Sequence, residues 1–180
     1  MAPLPQASCD DASRPGVETD ARDEFREIVN SFRDNLPEVT LSTDIICGFP
    51  GELDQHFERT LKLIDEMKPD VVNVSKFFAR PGTAACQLSG EAIPMHEIKS
   101  RSTKAALLAK KLAYENNMHW IGWQGKVIVD EKGKVPGSWI ARNFAYKPVV
   151  IRSPHRLFGR TVEARITGAC TTYLEGTTIG

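Results

Sequence analysis

The pattern of apolar residues changes between residues 118 and 121, and this change limits the possible folds more than any other feature of the chain. Before it, apolar residues recur at helical spacing in segments separated by β-branched runs. After it, short β-rich stretches follow one another at intervals of roughly ten residues, with Gly and Pro turns between them. The first pattern is typical of α/β structure and the second of small all-β domains. The sequence therefore predicts an α/β part at residues 23–118 and an all-β part at residues 119–180.

The α/β part is preceded by a leader that has almost no apolar periodicity. Residues 1–22 hold three prolines and the adjacent Asp10 and Asp11, a composition that predicts disorder because it buries too little apolar surface. The residues that follow predict one face of a helix, which Pro37 ends: Phe25, Ile28, Val29, Phe32 and Leu36.

A strand–helix–strand unit is predicted next. Residues 39–47 are rich in β-branched residues and predict a strand, residues 53–64 carry helical spacing with Asp54 as the expected N-cap, and residues 71–78 predict a second strand. Such a unit implies a parallel pair with a right-handed crossover. A longer helix at 94–117 follows, with an apolar stripe at Ile98, Ala105, Leu108 and Leu112.

The second part is predicted to be a small antiparallel barrel or sandwich. Its β-rich stretches lie at residues 126–130, 138–142, 148–151, 161–167 and 171–174. The formal net charge of the whole chain is zero, but the charge is unevenly divided. Residues 1–118 hold 14 basic and 19 acidic side chains, a net of minus five, and residues 119–180 hold nine basic and four acidic side chains, a net of plus five. Polyanions are therefore the expected partners of the β part.

Metal and nucleophile patterns are not found. Cys9, Cys47, Cys86 and Cys170 are far apart, whereas zinc and iron-sulfur sites draw at least two ligands from one local spacing such as C-x2-C. The four histidines have no partner at metal-ligand spacing. The chain also has no secretory signal and no apolar run of roughly 18 residues. We therefore expect reduced thiols, no metal ligands, no membrane segment and a cytoplasmic location.

Two loops of the α/β part are candidate ligand sites, because the carboxyl ends of parallel strands bind ligands in α/β folds. The first contains Gly48, Phe49, Pro50, Gly51 and Glu52, where the glycines allow close approach of a ligand and the phenylalanine offers a flat ring. The second begins at Arg80, which could meet a carboxylate or phosphate. The alternative is that both segments are tight turns with a solvated arginine.

The β part has a candidate RNA surface. Residues 142–147 interleave basic, aromatic and amide side chains, a mixture that suits single-stranded or loop RNA. The alternatives are that the basic residues form a solvated surface and that Trp123 and Trp139 fill the core. The predicted RNA-binding residues are Lys126, Arg142, Asn143, Tyr146, Lys147, Arg160 and Arg165.

Two sets of motifs, in the right order, resemble a known family. Residues 42–52, 68–77 and 80–84 resemble the late strands of the radical S-adenosylmethionine barrel of tRNA methylthiotransferases. Their sequences are Ser-Thr-Asp-Ile-Ile-Cys-Gly-Phe-Pro-Gly-Glu, Lys-Pro-Asp-Val-Val-Asn-Val-Ser-Lys-Phe and Arg-Pro-Gly-Thr-Ala. Residues 122–176, with Gly125-Lys126, Ala141-Arg142-Asn143 and Tyr173-Leu174-Glu175-Gly176, are similar to the TRAM module, an OB-like RNA-binding barrel. The resemblance is strongest to the threonylcarbamoyladenosine branch.

The resemblance implies an enzyme that adds a methylthio group to N6-threonylcarbamoyladenosine next to the anticodon. It also implies S-adenosylmethionine, two four-iron four-sulfur clusters, and the anticodon stem-loop of tRNA, not DNA, as the partner. The loop from Gly48 to Glu52 and Arg80 would face the S-adenosylmethionine, and the TRAM module would bind the tRNA.

The departures from the family are equally informative. The cluster motif C-x3-C-x2-C and the family's N-terminal domain have no counterpart in this sequence, and Leu53 replaces the usual Thr of the loop motif. We therefore expect a C-terminal fragment that has no catalytic residues and no metal ligands of its own and is inactive without the missing part. The alternatives are a stand-alone TRAM-type RNA-binding protein, and a weaker one, an adenosylmethionine-binding or interaction module without RNA.

Overall fold

A computed structural model of the chain describes residues 21–80, 82 and 93–179. The described residues divide into two compact units: residues 21–37 and 41–109 form the α/β unit, and residues 38–40 and 110–179 form the barrel unit. The predictions for the leader and for Pro81, Thr83, Cys9 and Cys86 lie outside the described residues. The domain boundaries predicted near residues 22 and 118 stay predictions.

The described residues contain helices and strands in the order that the sequence predicts. The helices are α1 (Ala21–Asn35), α2 (Asp54–Met67) and α3 (Met95–Met118). The strands are β1 (Ser42–Cys47), β2 (Val71–Lys76), β3 (Gln124–Lys132), β4 (Ser138–Arg142), β5 (Pro148–Arg152), β6 (Thr161–Ala169) and β7 (Leu174–Thr178). An α/β part followed by a β-barrel is thus confirmed.

The α/β unit is built on the predicted strand–helix–strand motif. Strands β1 and β2 are parallel and in register from Ser42 opposite Val71 to Cys47 opposite Lys76. One face of this pair packs on the helices, where Cys47, Phe57 and Ala105 are almost fully buried. The alternation of side chains along a strand leaves the other face exposed, and there Asn73 donates to the carboxylate of Asp44 at 2.7 Å.

Two predictions for the helices are corrected. The N-cap of α2 is Leu53, and Asp54 is the first helical residue. The Leu53 N–H donates instead to Nδ1 of His56 at 3.3 Å. In α1, Val29 is buried, but Ile28 and Phe32 are 50% and 55% exposed. The predicted apolar face of α1 is therefore only partly covered by the residues that the structure describes.

The barrel unit contains one parallel strand pair, which the sequence does not predict. The strands follow the order β3-β4-β5-β7-β6 and close on themselves. All neighbours are antiparallel except β5 and β7. Strand directions cannot alternate around a ring of five, so closure requires at least one parallel pair. The last strand is Leu174–Thr178, and the prediction of a strand at 171–174 is corrected accordingly.

The interior of the barrel is filled by small and branched side chains that alternate with exposed ones along each strand. The most buried are Val127, Val129, Ala141, Val149, Ile151, Ala164, Ile166 and Leu174. This core fixes which side chains of β3 and β4 face outward, because neighbours along a strand point to opposite faces. Within the described ranges, no helix is long and apolar enough to cross a membrane.

Candidate functional site

The loop after β1 is a tight turn whose two glycines have different structural roles. Glu52 N–H donates to the Phe49 carbonyl at 2.9 Å, and Gly51 at φ 82° occupies the position of a type II turn that favours glycine. Gly48 also has a positive φ of 86°, and a Cβ at this residue would lie 2.6 Å from Cγ1 of Ile98. Gly48 is therefore required for close packing against α3 as well as for the turn.

The Glu52 carboxylate accepts hydrogen bonds that join the end of this loop to its beginning and to helix α3. Its Oε2 accepts from the Gly48 N–H at 2.8 Å and from Nη1 of Arg101 at 2.8 Å. The same Arg101 nitrogen donates to the Glu52 carbonyl at 2.9 Å. The loop predicted to face a cofactor is thus fixed by a buried arginine that comes from α3.

Arg101 also bonds to two further acidic side chains. It is the residue of this region that the sequence does not predict as part of a site. Its Nη2 donates to Asp54 at 2.8 Å and also to Glu97, and its guanidinium lies 5.8 Å from the ring centroid of Phe57. Burial acts to lower the pKa of Arg101, but the bonds to Glu52 and Asp54 outweigh it and hold that pKa above the usual value. The available signal was position: Arg101 lies between Ile98 and Ala105 on the predicted buried stripe of α3.

The other predicted residues of the loop after β1, and Arg80, are more exposed than Gly48. Phe49 is half-buried and packs edge-on against Phe77 with ring centroids 5.2 Å apart. Pro50 is half-buried, and Gly51 is exposed with open space around it. Gly48 and Glu52 are bonded within the protein, whereas Phe49, Pro50 and Gly51 keep part of their surface exposed. Arg80 is exposed beyond the end of β2.

No group of three or more His, Cys, Asp or Glu residues in the described ranges could hold a metal ion. Cys47 is buried, and burial followed by the charge of Glu52 raises the pKa of its thiol. The donor set of the described residues therefore does not fit an iron-sulfur cluster.

The predicted RNA surface is partly exposed and partly internal. Arg142 lies with its guanidinium carbon 4.9 Å from the ring centroid of Tyr146, which is 72% exposed. The Nε of Arg142 also donates to Asp130 at 3.3 Å. This pair presents a cation and a flat ring side by side at the end of β4. Its contact with RNA stays a prediction.

Asn143 and Lys147 lie in the interior, and their prediction as RNA contacts is corrected. Their exposed fractions are 5% and 6%. Asn143 Oδ1 accepts from the Lys147 backbone N–H at 2.9 Å, and Lys147 Nζ donates to Asn117 Oδ1 at 2.9 Å. Asn117 in turn donates to the carbonyls of Cys170 and Thr171 at 2.8 and 3.2 Å. The Asn143 side chain therefore bonds within the turn that joins β4 to β5, and the Lys147 ammonium bonds this turn to Asn117 of α3.

The other predicted basic residues are exposed. Lys126 lies on the outer face of β3 opposite Glu163, and Arg165 lies on β6 opposite Gln124. Arg160 precedes β6, and its carbonyl accepts from the Val129 N–H at 2.9 Å. All three side chains are available to a polyanion, although Glu163 partly offsets the charge of Lys126.

The tryptophans belong to the core and its margin, as the alternative in the sequence analysis holds. Trp120 is 9% exposed, and Trp123 and Trp139 pack against the buried cluster. Trp120 and Trp123 also contact the ring of Phe144, with centroids 5.9 and 6.1 Å away. They are therefore more useful as reporters of barrel folding than as contacts for a ligand.

Comparison with known proteins gives matches for both parts of the chain. Residues 125–179 match the family model described as TRAM domain. A probable threonylcarbamoyladenosine tRNA methylthiotransferase from Pyrococcus horikoshii is 40% identical over 154 residues, which is 86% of this chain and 35% of the relative. Threonylcarbamoyladenosine tRNA methylthiotransferases from Xenopus laevis and Homo sapiens are 33% and 31% identical over 153 residues, which is 85% of this chain and 27% and 26% of the relatives. The chain thus spans about a quarter to a third of the length of these relatives.

Proposed function

From the resemblance of this chain to the threonylcarbamoyladenosine tRNA methylthiotransferases, which the comparisons bear out, we propose that it is the C-terminal part of such an enzyme and that its barrel binds tRNA. In this proposal the barrel contacts the anticodon stem-loop, and the whole enzyme adds a methylthio group to N6-threonylcarbamoyladenosine. The observation that carries the proposal is the TRAM match at residues 125–179 inside a similarity that covers 86% of the chain.

The charge of the barrel supports a nucleic-acid partner. Residues 119–180 have a net charge of plus five, and Arg160 and Arg165 are exposed on the barrel surface. A cationic surface neutralises phosphates, and this contributes most of the affinity that does not depend on sequence. Arg142 and Tyr146 add a cation and an exposed ring, which suit unpaired bases better than a duplex. The proposed RNA contacts are Lys126, Arg142, Tyr146, Arg160 and Arg165.

The α/β unit supplies part of the proposed radical S-adenosylmethionine barrel. Its two-stranded parallel sheet and the turn after β1 occupy the position of the motif that resembles the cofactor side of that barrel. Phe49, Pro50 and Gly51 would face the adenosine end, with Gly48 and Glu52 fixing the loop and Arg80 nearby. S-adenosylmethionine bound at this loop would supply radical chemistry. The sequence has no C-x3-C-x2-C, so we propose that this chain is inactive without an N-terminal part that carries the clusters.

The first test measures binding of the chain to a tRNA anticodon stem-loop as a function of salt. We expect the logarithm of the affinity to fall linearly with the logarithm of salt concentration, by roughly 0.7 to 0.9 per phosphate neutralised. Arg160→Ala and Arg165→Ala should each reduce the magnitude of this slope by about 0.7 to 0.9, which is the contribution of one phosphate contact. Binding that is absent, or that does not change between low and high salt, would contradict the proposal.

The second test separates the enzyme fragment from a stand-alone RNA-binding protein. That alternative is supported by the barrel, which closes on itself and has its own buried core. The genomic sequence upstream of the codon for Asp23 distinguishes the two: an in-frame C-x3-C-x2-C supports the enzyme, and a clear intergenic region supports the stand-alone protein. A cytoplasmic location belongs to both versions of the proposal.

A further inference from the structure

Two surface segments that carry basic and aromatic side chains lie on opposite edges of the same stretch of β3. One is the turn after β4, with Arg142 and Tyr146. The other is the loop between β5 and β6, where Arg156, Phe158 and Arg160 alternate. Of these three residues, the sequence predicts only Arg160 as an RNA contact.

The strand register places these segments together. On one edge of β3, Ile128 is opposite Arg142 of β4. On the other edge, Ile128 is opposite Thr161 of β6, and the Gly159 N–H donates to the Val129 carbonyl at 2.8 Å. Adjacent strands are about 4.8 Å apart, so the two segments leave the barrel about 10 Å from each other across β3.

The β3 side chain that lies between the two segments is apolar. Val127 and Val129 are fully buried, so the intervening Ile128 points outward, and it is 58% exposed. Side chains directly opposite each other on neighbouring strands share a face, so Ile128 lies between Arg142 and Thr161 on the outer face. Tyr146 is 72% and Phe158 is 52% exposed. Ile128 thus lies on the outer face between two segments that each carry an exposed ring and a basic side chain, with Lys126 and Asp130 as its charged neighbours along β3.

We propose that Tyr146, Ile128 and Phe158 form a platform on which the unpaired nucleotides of an RNA stack, with Arg142 and Arg160 contacting the phosphates. This inference rests on the proposed function, and it adds Ile128 and the β5–β6 loop as a second set of contacts for the unpaired nucleotides. The net charge of plus five in residues 119–180 favours a polyanion over a neutral peptide. Paired bases hide their faces within the stack, so rings on the protein surface gain contact only with splayed bases.

The experiment compares two labelled RNAs with the full chain: an anticodon stem-loop and a fully paired duplex of the same number of phosphates. Tyr146→Leu and Phe158→Leu keep an apolar side chain and remove the ring. We expect each to weaken stem-loop binding by roughly fivefold to a hundredfold, since one base loses its stacking partner. The salt dependence of stem-loop binding and the affinity for the duplex should remain as in the unmodified chain.

The matched control is Val135→Ala, because Val135 is also 58% exposed but lies in the turn between β3 and β4. It should bind both RNAs as the unmodified chain does. Tryptophan fluorescence of each variant establishes that the barrel is folded at the temperature used for binding.

The outcomes separate the platform from the proposed function. If the unmodified chain binds the stem-loop and both ring variants bind it equally well, the platform is refuted while tRNA binding by the barrel stands. Equal losses for stem-loop and duplex, or an equal loss in the Val135 control, also overturn the platform. If the unmodified chain binds neither RNA, the proposed function fails and the platform fails with it.

Discussion

Arg101→Ala is expected to destabilise the α/β unit and to leave the barrel unit unchanged. The Arg101 side chain is 6% exposed and that of Glu52 is 15% exposed. Among the described residues, removing the arginine leaves this mostly buried carboxylate with the Gly48 N–H as its hydrogen-bond donor. Breaking a buried ion pair from one side typically costs about 3–5 kcal/mol. Asp54 is 88% exposed and is solvated by water in the variant. We therefore expect the free energy of unfolding of the α/β unit to fall by about 3 kcal/mol, the lower end of this range.

Two optical probes report the two units separately. All three tryptophans, at positions 120, 123 and 139, lie in the barrel unit. Helices α1 and α2 and the first half of α3 lie in the α/β unit, so far-UV circular dichroism reports mainly that unit. For a unit of this size the free energy of unfolding falls by about 1–2 kcal/mol per molar urea. A loss of about 3 kcal/mol therefore lowers the urea midpoint measured by circular dichroism by about 2 M. The fluorescence midpoint should not move.

Arg26→Ala is the matched control, because Arg26 is also an arginine that joins acidic groups of the α/β unit. Its bonds to Glu66 and Asp23 are solvent-exposed, and exposed pairs contribute little because water screens them. We expect a clearly smaller shift than for Arg101→Ala. Equal shifts for the two variants, or no shift in the circular dichroism midpoint of Arg101→Ala, would refute the argument that Arg101 fixes the loop through Glu52.

Three further predictions concern residues of the loop, the turn and the buried thiol. Gly48→Ala should destabilise the α/β unit by about 2 kcal/mol or more in urea unfolding, since the new Cβ would lie 2.6 Å from Ile98; Gly51→Ala, with the same sign of φ but open space, should cost about 1 kcal/mol. Lys147→Met should lower barrel stability by about 1–3 kcal/mol in tryptophan-monitored unfolding without changing the salt dependence of RNA binding, because Nζ bonds Asn117 and not phosphate; a reduced slope would return Lys147 to the RNA surface. Burial raises the pKa of Cys47, so its thiol form stabilises the fold below the ordinary thiol pKa, and this contribution is lost as the pH rises through the raised value. In peptide-mapped alkylation at pH 8, Cys47 should react only after urea unfolding, whereas the half-exposed Cys170 should react in the folded chain; rapid modification of folded Cys47 would contradict its burial.

Much of the fold could be predicted because its pattern is local. The β-branched run before Gly48 and the helical spacing from Leu53 to Ile64 placed β1 and α2, and strand β4 (Ser138–Arg142) was predicted residue for residue. Turn residues between short alternating runs were enough to predict the barrel. The last strand was misplaced because residues 171–174 are β-branched and aromatic, while the actual strand includes Gly176, which local propensity disfavours.

The candidate sites were less predictable because burial depends on distant neighbours. Local composition cannot distinguish Lys147, which is enclosed next to Asn117, from Arg160, which is exposed, since both are basic residues in loops or turns. Phe158 was overlooked because the nearest basic residues, Arg156 and Arg160, are two positions away on either side. Only the pairing of β6 with β3 brings this loop beside β3.

Residue spacing and composition were enough to predict the order of elements, the change from an α/β to an all-β part and the basic charge of the second part. They also carry the motifs of the family resemblance. Each of these depends on residue spacing or composition within a short window. The tertiary structure alone decided that one barrel pair is parallel, that Arg101 holds the Gly48–Glu52 loop, and that Ile128 lies between two basic and aromatic segments. These features depend on closure of the barrel and on the packing of α3 against the loop, and such contacts join residues up to about 50 positions apart.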